Sequence, residues 1–113
     1  MVVQLGYYTL SVQDLDRAAA FYGALFGWEF RREHKSSLHV TNTAVPMGLT
    51  STGPSSQPNL YYRVDDIDAA VKQVRELGGT TGEVMDSKSG RSCACVDDQG
   101  TELSLWEPAP GFD

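Results

Sequence analysis

Hydrophobic and polar positions along the chain follow a pattern that occurs twice. Tyr8, Leu10 and Val12 alternate with Tyr7, Thr9 and Ser11, the period of two expected of a strand with one buried face. Asp14 then precedes Ala18, Phe21, Tyr22 and Leu25, which recur at helical spacing and predict a core-facing stripe, and Gly27 ends the run. The same order returns from Leu60: Tyr8 to Asp16 lies over Leu60 to Asp68, Ala18 over Ala70, Leu25 over Leu77 and Gly27 over Gly79. Ile67, Val71, Val74 and Leu77 carry the second helical stripe. Asp14 and Asp66 are placed to cap the helices, because a carboxylate there accepts from backbone N–H groups that have no partner within the helix. Asp16 and Asp68 follow in the first turn, where the helix dipole favours negative charge.

Strand candidates follow each helix: Trp28 to Arg32, Leu38 to Asn42 and Val45 to Thr50, then Thr81 to Met85, Arg91 to Val96 and Leu103 to Trp106. Turn-forming runs separate them, Lys35-Ser36-Ser37, Ser87-Lys88-Ser89-Gly90 and Asp97-Asp98-Gln99-Gly100. The reading is an α+β chain of two βαβββ modules, with paired, curved four-stranded mixed sheets around a central cleft and one helix on each outer face. It is a single domain over 1–113, with module 1 at about 1–50, a Ser/Gly/Pro linker at about 51–58 and module 2 at about 59–108.

Alternation also assigns faces. Leu60, Tyr62 and Val64, with Leu103 and Leu105, pack under a helix, as do Tyr8, Leu10 and Val12. Left for the cleft are Tyr7, Thr9, Ser11, Asn59, Tyr61, Arg63, Glu102, Ser104 and Trp106. Aromatic faces with a few hydrogen-bonding groups suit a small planar or amphipathic ligand, aromatic or cationic. Packing between the sheets is the alternative for Tyr61 and Trp106. Trp28 reads as an anchor between helix and sheet, and Met47 as a cleft or dimer contact. Arg63 is the one cation of the set, placed to pair with Glu102 or to receive a ligand's anionic group.

Composition narrows the classes. The chain has 113 residues, is 41% hydrophobic and 21% charged, and carries a net charge of −6. That fits an ordinary globular domain with its own core. The acidic balance weighs against a phosphate-tracking nucleic-acid binder. No apolar run approaches a membrane span, and the N-terminus has no secretory pattern, so a cytoplasmic protein is expected. Cys93 and Cys95 share a strand face at a spacing too wide for a comfortable disulfide, and read as small buried apolar residues.

The segments Ser11-Val12-Gln13-Asp14-Leu15-Asp16-Arg17-Ala18, Phe21-Tyr22 and Leu25-Phe26-Gly27-Trp28 resemble the vicinal oxygen chelate superfamily of glyoxalases, bleomycin-resistance proteins and dioxygenases. So do Val64-Asp65-Asp66-Ile67-Asp68-Ala69-Ala70, Leu77-Gly78-Gly79, Gly90-Arg91 and the closing run from Asp97 to Pro108. The resemblance spans nearly the whole chain. It implies the fold above and, in the superfamily's enzymes, a divalent metal held by His, Gln or Glu side chains. The positions matching those ligands are Tyr7, Asn59 and Ser104 here, which are poor donors for such ions. No metal and no cofactor are therefore expected.

The resemblance implies three classes of function. One is a metal-independent module that binds an antibiotic or metabolite, like the proteins that sequester bleomycin-type drugs. Another is a lyase, isomerase or dioxygenase, with an unorthodox metal site built on His39 or Glu102, or with Glu102 as acid–base group and Tyr7 or Tyr61 as hydrogen-bond donors. The third is an interaction protein. His34 reads as a solvated turn residue. Exposed sheet edges, together with the resemblance, predict a homodimer.

Overall fold

The computed structural model describes residues 2–52 and 58–112. Most of the expected linker, residues 53–57, lies outside them. The elements run β1 (Leu5–Ser11), α1 (Leu15–Phe26), β2 (Phe30–His34), β3 (Ser37–Val40), β4 (Met47–Thr50), β5 (Asn59–Arg63), α2 (Ile67–Glu76), β6 (Thr80–Ser87), β7 (Gly90–Val96) and β8 (Glu102–Pro108). This is the α+β, twice-βαβββ order that the hydrophobic pattern predicts.

Two compact units emerge, Tyr7–Asn59 and a second made of Leu60–Asp113 with Met1–Gly6. In the first, the strands stand in the order β2-β3-β4-β1. β1 and β4 are parallel, and the other two pairs antiparallel. In the second the order β5-β8-β7-β6 repeats that topology, with β5 and β8 parallel. The chain's start is tied to this unit by Arg63, whose backbone N–H donates to the Gln4 carbonyl at 3.0 Å.

Both helices begin as expected. Asp14 accepts from the Arg17 N–H and Asp66 from the Ala69 N–H, each from an extended backbone. Gly27 ends α1 with φ 72°, a left-handed conformation, and its N–H closes on the Gly23 carbonyl. In the second unit Gly79 is sterically required: a Cβ there would meet the Val96 carbonyl oxygen at 2.5 Å.

The cores sit between helix and sheet. Leu15 of α1 packs with Leu38 and Leu49, flanked by Leu10, Val12, Ala18, Ala19 and Tyr22. Ile67 and Val71 of α2 pack with Val64, Leu105, Cys93 and Cys95. The two cysteines are free thiols, 1% and 3% exposed, with sulfurs 4.0 Å apart. Burial and the neighbouring Cys93 thiol push the Cys95 thiol up to about 11.

Four expectations need correction. Phe21 and Leu25 are 61% and 60% exposed, because the sheet covers only the rows of α1 through Leu15, Ala18, Ala19 and Tyr22. Leu77 is likewise outside, 70% exposed at the end of α2. Met47 is fully buried: it pairs with Tyr8 and Val40, so it shares their face and offers no surface contact. The strand expected from Trp28 begins at Phe30 instead. There the Asn42 side chain donates to the Gly27 carbonyl and accepts from the Glu29 N–H, both at 3.0 Å, taking the place of ladder bonds.

Candidate functional site

Each unit turns one sheet face away from its helix, and the residues expected to meet a ligand stand on these two faces. In the Tyr7–Asn59 unit, the register puts Thr9, Gly48, His39 and Arg31 in one row across four strands. Tyr7, two residues before Thr9, shares that face. Its ring lies 4° from parallel to the His39 imidazole, with centroids 6.1 Å apart. A Cβ on Gly48 would fall 2.7 Å from the Tyr7 hydroxyl, so the absence of a side chain at 48 makes room for the tyrosine. The Asn59 side-chain N–H group donates to Thr9 Oγ1 at 2.9 Å and to Ser11 Oγ at 3.2 Å. Arg31 at the outer strand is exposed and paired with Glu33 at 3.0 Å.

In the other unit, Tyr61 faces Ser104 across β5 and β8, and Ser104 faces Ala94 of β7. The next row is Arg63, Trp106, Ser92 and Met85. Trp106 is half-buried, and its indole Nε1–H donates to the Ser89 carbonyl at 3.1 Å. The ring closes over Gly6, where a Cβ would meet it at 3.0 Å and the Arg63 Cβ at 3.1 Å. Trp106 is therefore a fixed wall, with its one hydrogen-bond donor already used. Glu102 opens β8 opposite Val96 and is exposed.

Sequence reasoning put these residues in one cleft and set Asn59 with Tyr61 and Arg63; the structure brings Asn59 to Thr9 and Ser11, and pairs Tyr61 with Ser104 and Arg63 with Trp106. Sequence reasoning did not pair His39 with Tyr7, nor find Gly48, Ser92 and Met85. The available signal was the Lys35-Ser36 turn, from which alternation sets His39 opposite Leu38 and Val40. His34 is exposed beside its turn, its Nδ1 3.3 Å from the Ser36 N–H.

On the helix-facing side, Glu107 accepts the Ile67 N–H at 2.9 Å, a second carboxylate at the start of α2 beside Asp66. Arg91 grips Asp68 through two hydrogen bonds of 3.1 Å, which hold that carboxyl below the usual carboxylate range and the guanidinium above its own.

The three positions that the resemblance matches to the metal ligands of the superfamily's enzymes, Tyr7, Asn59 and Ser104, carry a phenol ring stacked on His39, an amide whose N–H group is given to Thr9 and Ser11, and a hydroxyl opposite Tyr61. Such a neutral set does not fit a divalent ion that favours imidazole and carboxylate. Among the described residues, no three His, Cys, Asp or Glu side chains come together as a metal-holding group. No helix there is long and apolar enough to cross a membrane.

This architecture defines the vicinal oxygen chelate class. Residues 7–106 match the glyoxalase-like domain family, and the chain belongs to it. No curated protein matches it in sequence. Solved structures similar to it include the methylmalonyl-CoA epimerase of Mycobacterium tuberculosis, at 21% identity and TM-score 0.75 over 94% of this chain and 88% of that one. A glyoxalase/bleomycin resistance protein/dioxygenase superfamily member from Vibrio splendidus 12B01 matches at 15% identity and TM-score 0.67, over 96% and 100%. Homoprotocatechuate 2,3-dioxygenase from Arthrobacter globiformis matches at 23% identity and TM-score 0.73, over 96% of this chain but 37% of that longer enzyme. At these identities the likeness is one of fold.

Proposed function

We propose that this glyoxalase-like chain is a small-molecule-binding protein that holds an antibiotic-like or metabolite ligand without a metal ion. The observation that carries the reading is the chemistry at Tyr7, Asn59 and Ser104. Side chains with neutral oxygen donors stand at all three matched positions, and the Asn59 N–H group is already given to neighbouring hydroxyls. The face bearing Tyr61 and Trp106 supplies the binding energy: two aromatic side chains flank a ligand's flat portion, and the indole is held in place before the ligand arrives. Arg63 and Glu102 offer one charge of each sign for its polar ends, and Ser104 a hydroxyl. The Tyr7–His39 pair, with Thr9 and Asn59, is a second aromatic and polar surface of the same character. The acidic chain favours a cationic ligand.

The test is a thermal-shift screen of chelator-treated protein against glycopeptide antibiotics, planar cations, acyl thioesters and catechols. A true ligand at a hundredfold excess over its Kd stabilises the fold by about 2.7 kcal/mol. Zinc, nickel, manganese or ferrous iron should leave the melting temperature unmoved. One tightly held ion per chain, or turnover of a thioester or catechol that chelation abolishes, would replace this reading with an enzymatic one.

A further inference from the structure

Cys93 and Cys95 play no part in the ligand-binding faces. They lie between β7 and α2, among Ile67, Val71 and Leu105, with their sulfurs 4.0 Å apart. Packing alone does not call for sulfur there. In the first unit Leu38 and Val40 of β3 pair with Leu49 and Met47 as Cys93 and Cys95 pair with Leu105 and Leu103, and these aliphatic side chains are also buried. The ladder opens beside the thiols. β6 ends the strand order, and between Thr81, opposite Cys95, and Val84, opposite Cys93, it carries one residue more than β7. Such bulges favour sheet edges and functional sites, where they re-aim neighbouring groups. Here the bulge turns the Gly82 carbonyl to the Cys93 sulfhydryl, which donates to it at 3.5 Å. Arg75, in the last turn of α2, reaches the same place. Its Nε–H donates to Thr81 Oγ1 at 2.7 Å, and its charge acts on Cys95 in favour of the thiolate.

We infer that Cys93 and Cys95 hold a soft monovalent cation, Cu(I), between their two thiolates. The sulfur separation decides against the alternatives. A disulfide bond is about 2.05 Å long, so the sulfurs would have to close half their distance across a strand spacing that already strains such a bond. Thiolate–metal bonds of about 2.3 Å ask for sulfurs about 4.0–4.6 Å apart, as the angle at the ion opens from about 120° to linear. The pair stands at the near end of that range before any side chain turns. Zinc takes four donors, and among the described residues no third His, Cys, Asp or Glu joins these two. A site of thiolates alone selects Cu(I) over harder ions. Binding sends both thiol protons to solvent. The resulting bis-thiolate complex carries one net negative charge, which the Arg75 guanidinium offsets.

The test is an anaerobic titration of the reduced full chain with Cu(I) against the competing chelator bicinchoninate, followed by X-ray absorption at the copper edge. One Cu(I) per chain should leave the competitor, with two sulfurs as its nearest neighbours. Cys93→Ala and Cys95→Val, the second borrowing the residue that β3 carries at the matching place, should each lower affinity by more than about 100-fold, beyond what loss of an outer-shell partner costs. Circular dichroism reports whether each variant is folded, and the copper environment of the wild type decides the matter where one is not. The thiols lie on the opposite face of their sheet from Tyr61, Ser104 and Trp106, so Cu(I) binding and ligand binding stand or fall separately. Reduced wild type that yields all its Cu(I) to the competitor overturns the inference. So do nitrogen or oxygen neighbours at the copper, or stoichiometric binding that survives both single substitutions.

Discussion

The imidazole of His39 lies parallel to the ring of Tyr7, and Gly48, paired in register with His39, makes room for the tyrosine. A methyl group at position 48 would sit 2.5 Å from the Leu38 carbonyl oxygen and 2.7 Å from the Tyr7 hydroxyl. The phenol can swing away, but the carbonyl belongs to the ladder between β3 and β4 and cannot. Gly48→Ala should therefore cost about 1–3 kcal/mol, as overpacked interiors do. Urea unfolding checks this. A Gly48→Ala protein as stable as the wild type would show that the sheet relaxes freely at this row.

Trp106 separates packing from recognition. Trp106→Phe keeps an aromatic wall but leaves the Ser89 carbonyl without its indole donor, so stability should drop by about 1 kcal/mol with little loss of ligand affinity. Tyr61→Ala and Trp106→Ala should each weaken binding by about 1–3 kcal/mol through lost contact area. Glu102→Gln should matter chiefly for a cationic ligand, and less as salt rises, because the carboxylate is exposed. Calorimetric titration alongside thermal melts reads both effects. Binding untouched by all three changes in folded protein would place the ligand elsewhere.

What could be read in the sequence was what is local. The capping aspartates Asp14 and Asp66, and the glycine after α1, act within a few residues of themselves and were legible from spacing alone. So was the alternation that sends Leu105 to the core and Trp106 to the other face. The errors came where a distant element decides. Phe21 and Leu25 lie on a helical stripe with Ala18 and Tyr22, and only the reach of the sheet determines which rows it covers. The Tyr7–His39 contact depends on the offset between β3 and β4, and the orientation of Asn59 on two hydroxyls some fifty residues earlier. Neither is written in local composition.

Two exposed carboxylates give the chain an acid-sensitive component. The Arg91 guanidinium hydrogen-bonds Asp68 and holds it below the usual carboxylate range. Backbone N–H groups of Thr101, Gln99 and Gly100 do the same for Asp97, whose side chain closes the turn before β8. In both cases the folded chain holds its proton less tightly than the unfolded one. Their stabilisation is therefore present above the ordinary carboxylate range and lost as pH falls through and below it. Urea midpoints measured between about pH 5 and pH 2 should fall less steeply for Asp97→Asn than for the wild type. The Asp68 contribution should also shrink with added salt, as a solvent-exposed ion pair does. Parallel wild-type and Asp97→Asn acid profiles would count against the turn as a source of acid sensitivity.

The alkaline side falls to the cysteine pair, and there the sign reverses. Cys95 is 3% exposed, packed beside Cys93 against Ile67, Val71 and Leu105, and its thiol is raised from an ordinary 9.0 to about 11. Burial disfavours the thiolate, and a second sulfur 4.0 Å away supplies no positive charge to offset it. At neutral pH the Cys95 thiol should therefore resist alkylating reagents in the native protein and react at once in denaturant, since the thiolate is the reactive species, and Cys93, 1% exposed, is shielded by its burial. Below pH 9 the thiol is protonated in folded and unfolded chains alike, so nothing is lost. Between about 9 and 11 the unfolded chain releases its proton while the folded chain keeps it, and stability should fall by an amount on the order of 2 kcal/mol. Cys95→Ala removes the titrating group, so its unfolding midpoint, lower at neutral pH through the lost packing, should be flatter across that window. Rapid native-state alkylation at neutral pH, or an alkaline profile unchanged by Cys95→Ala, would show that the strand bearing these cysteines opens readily to solvent.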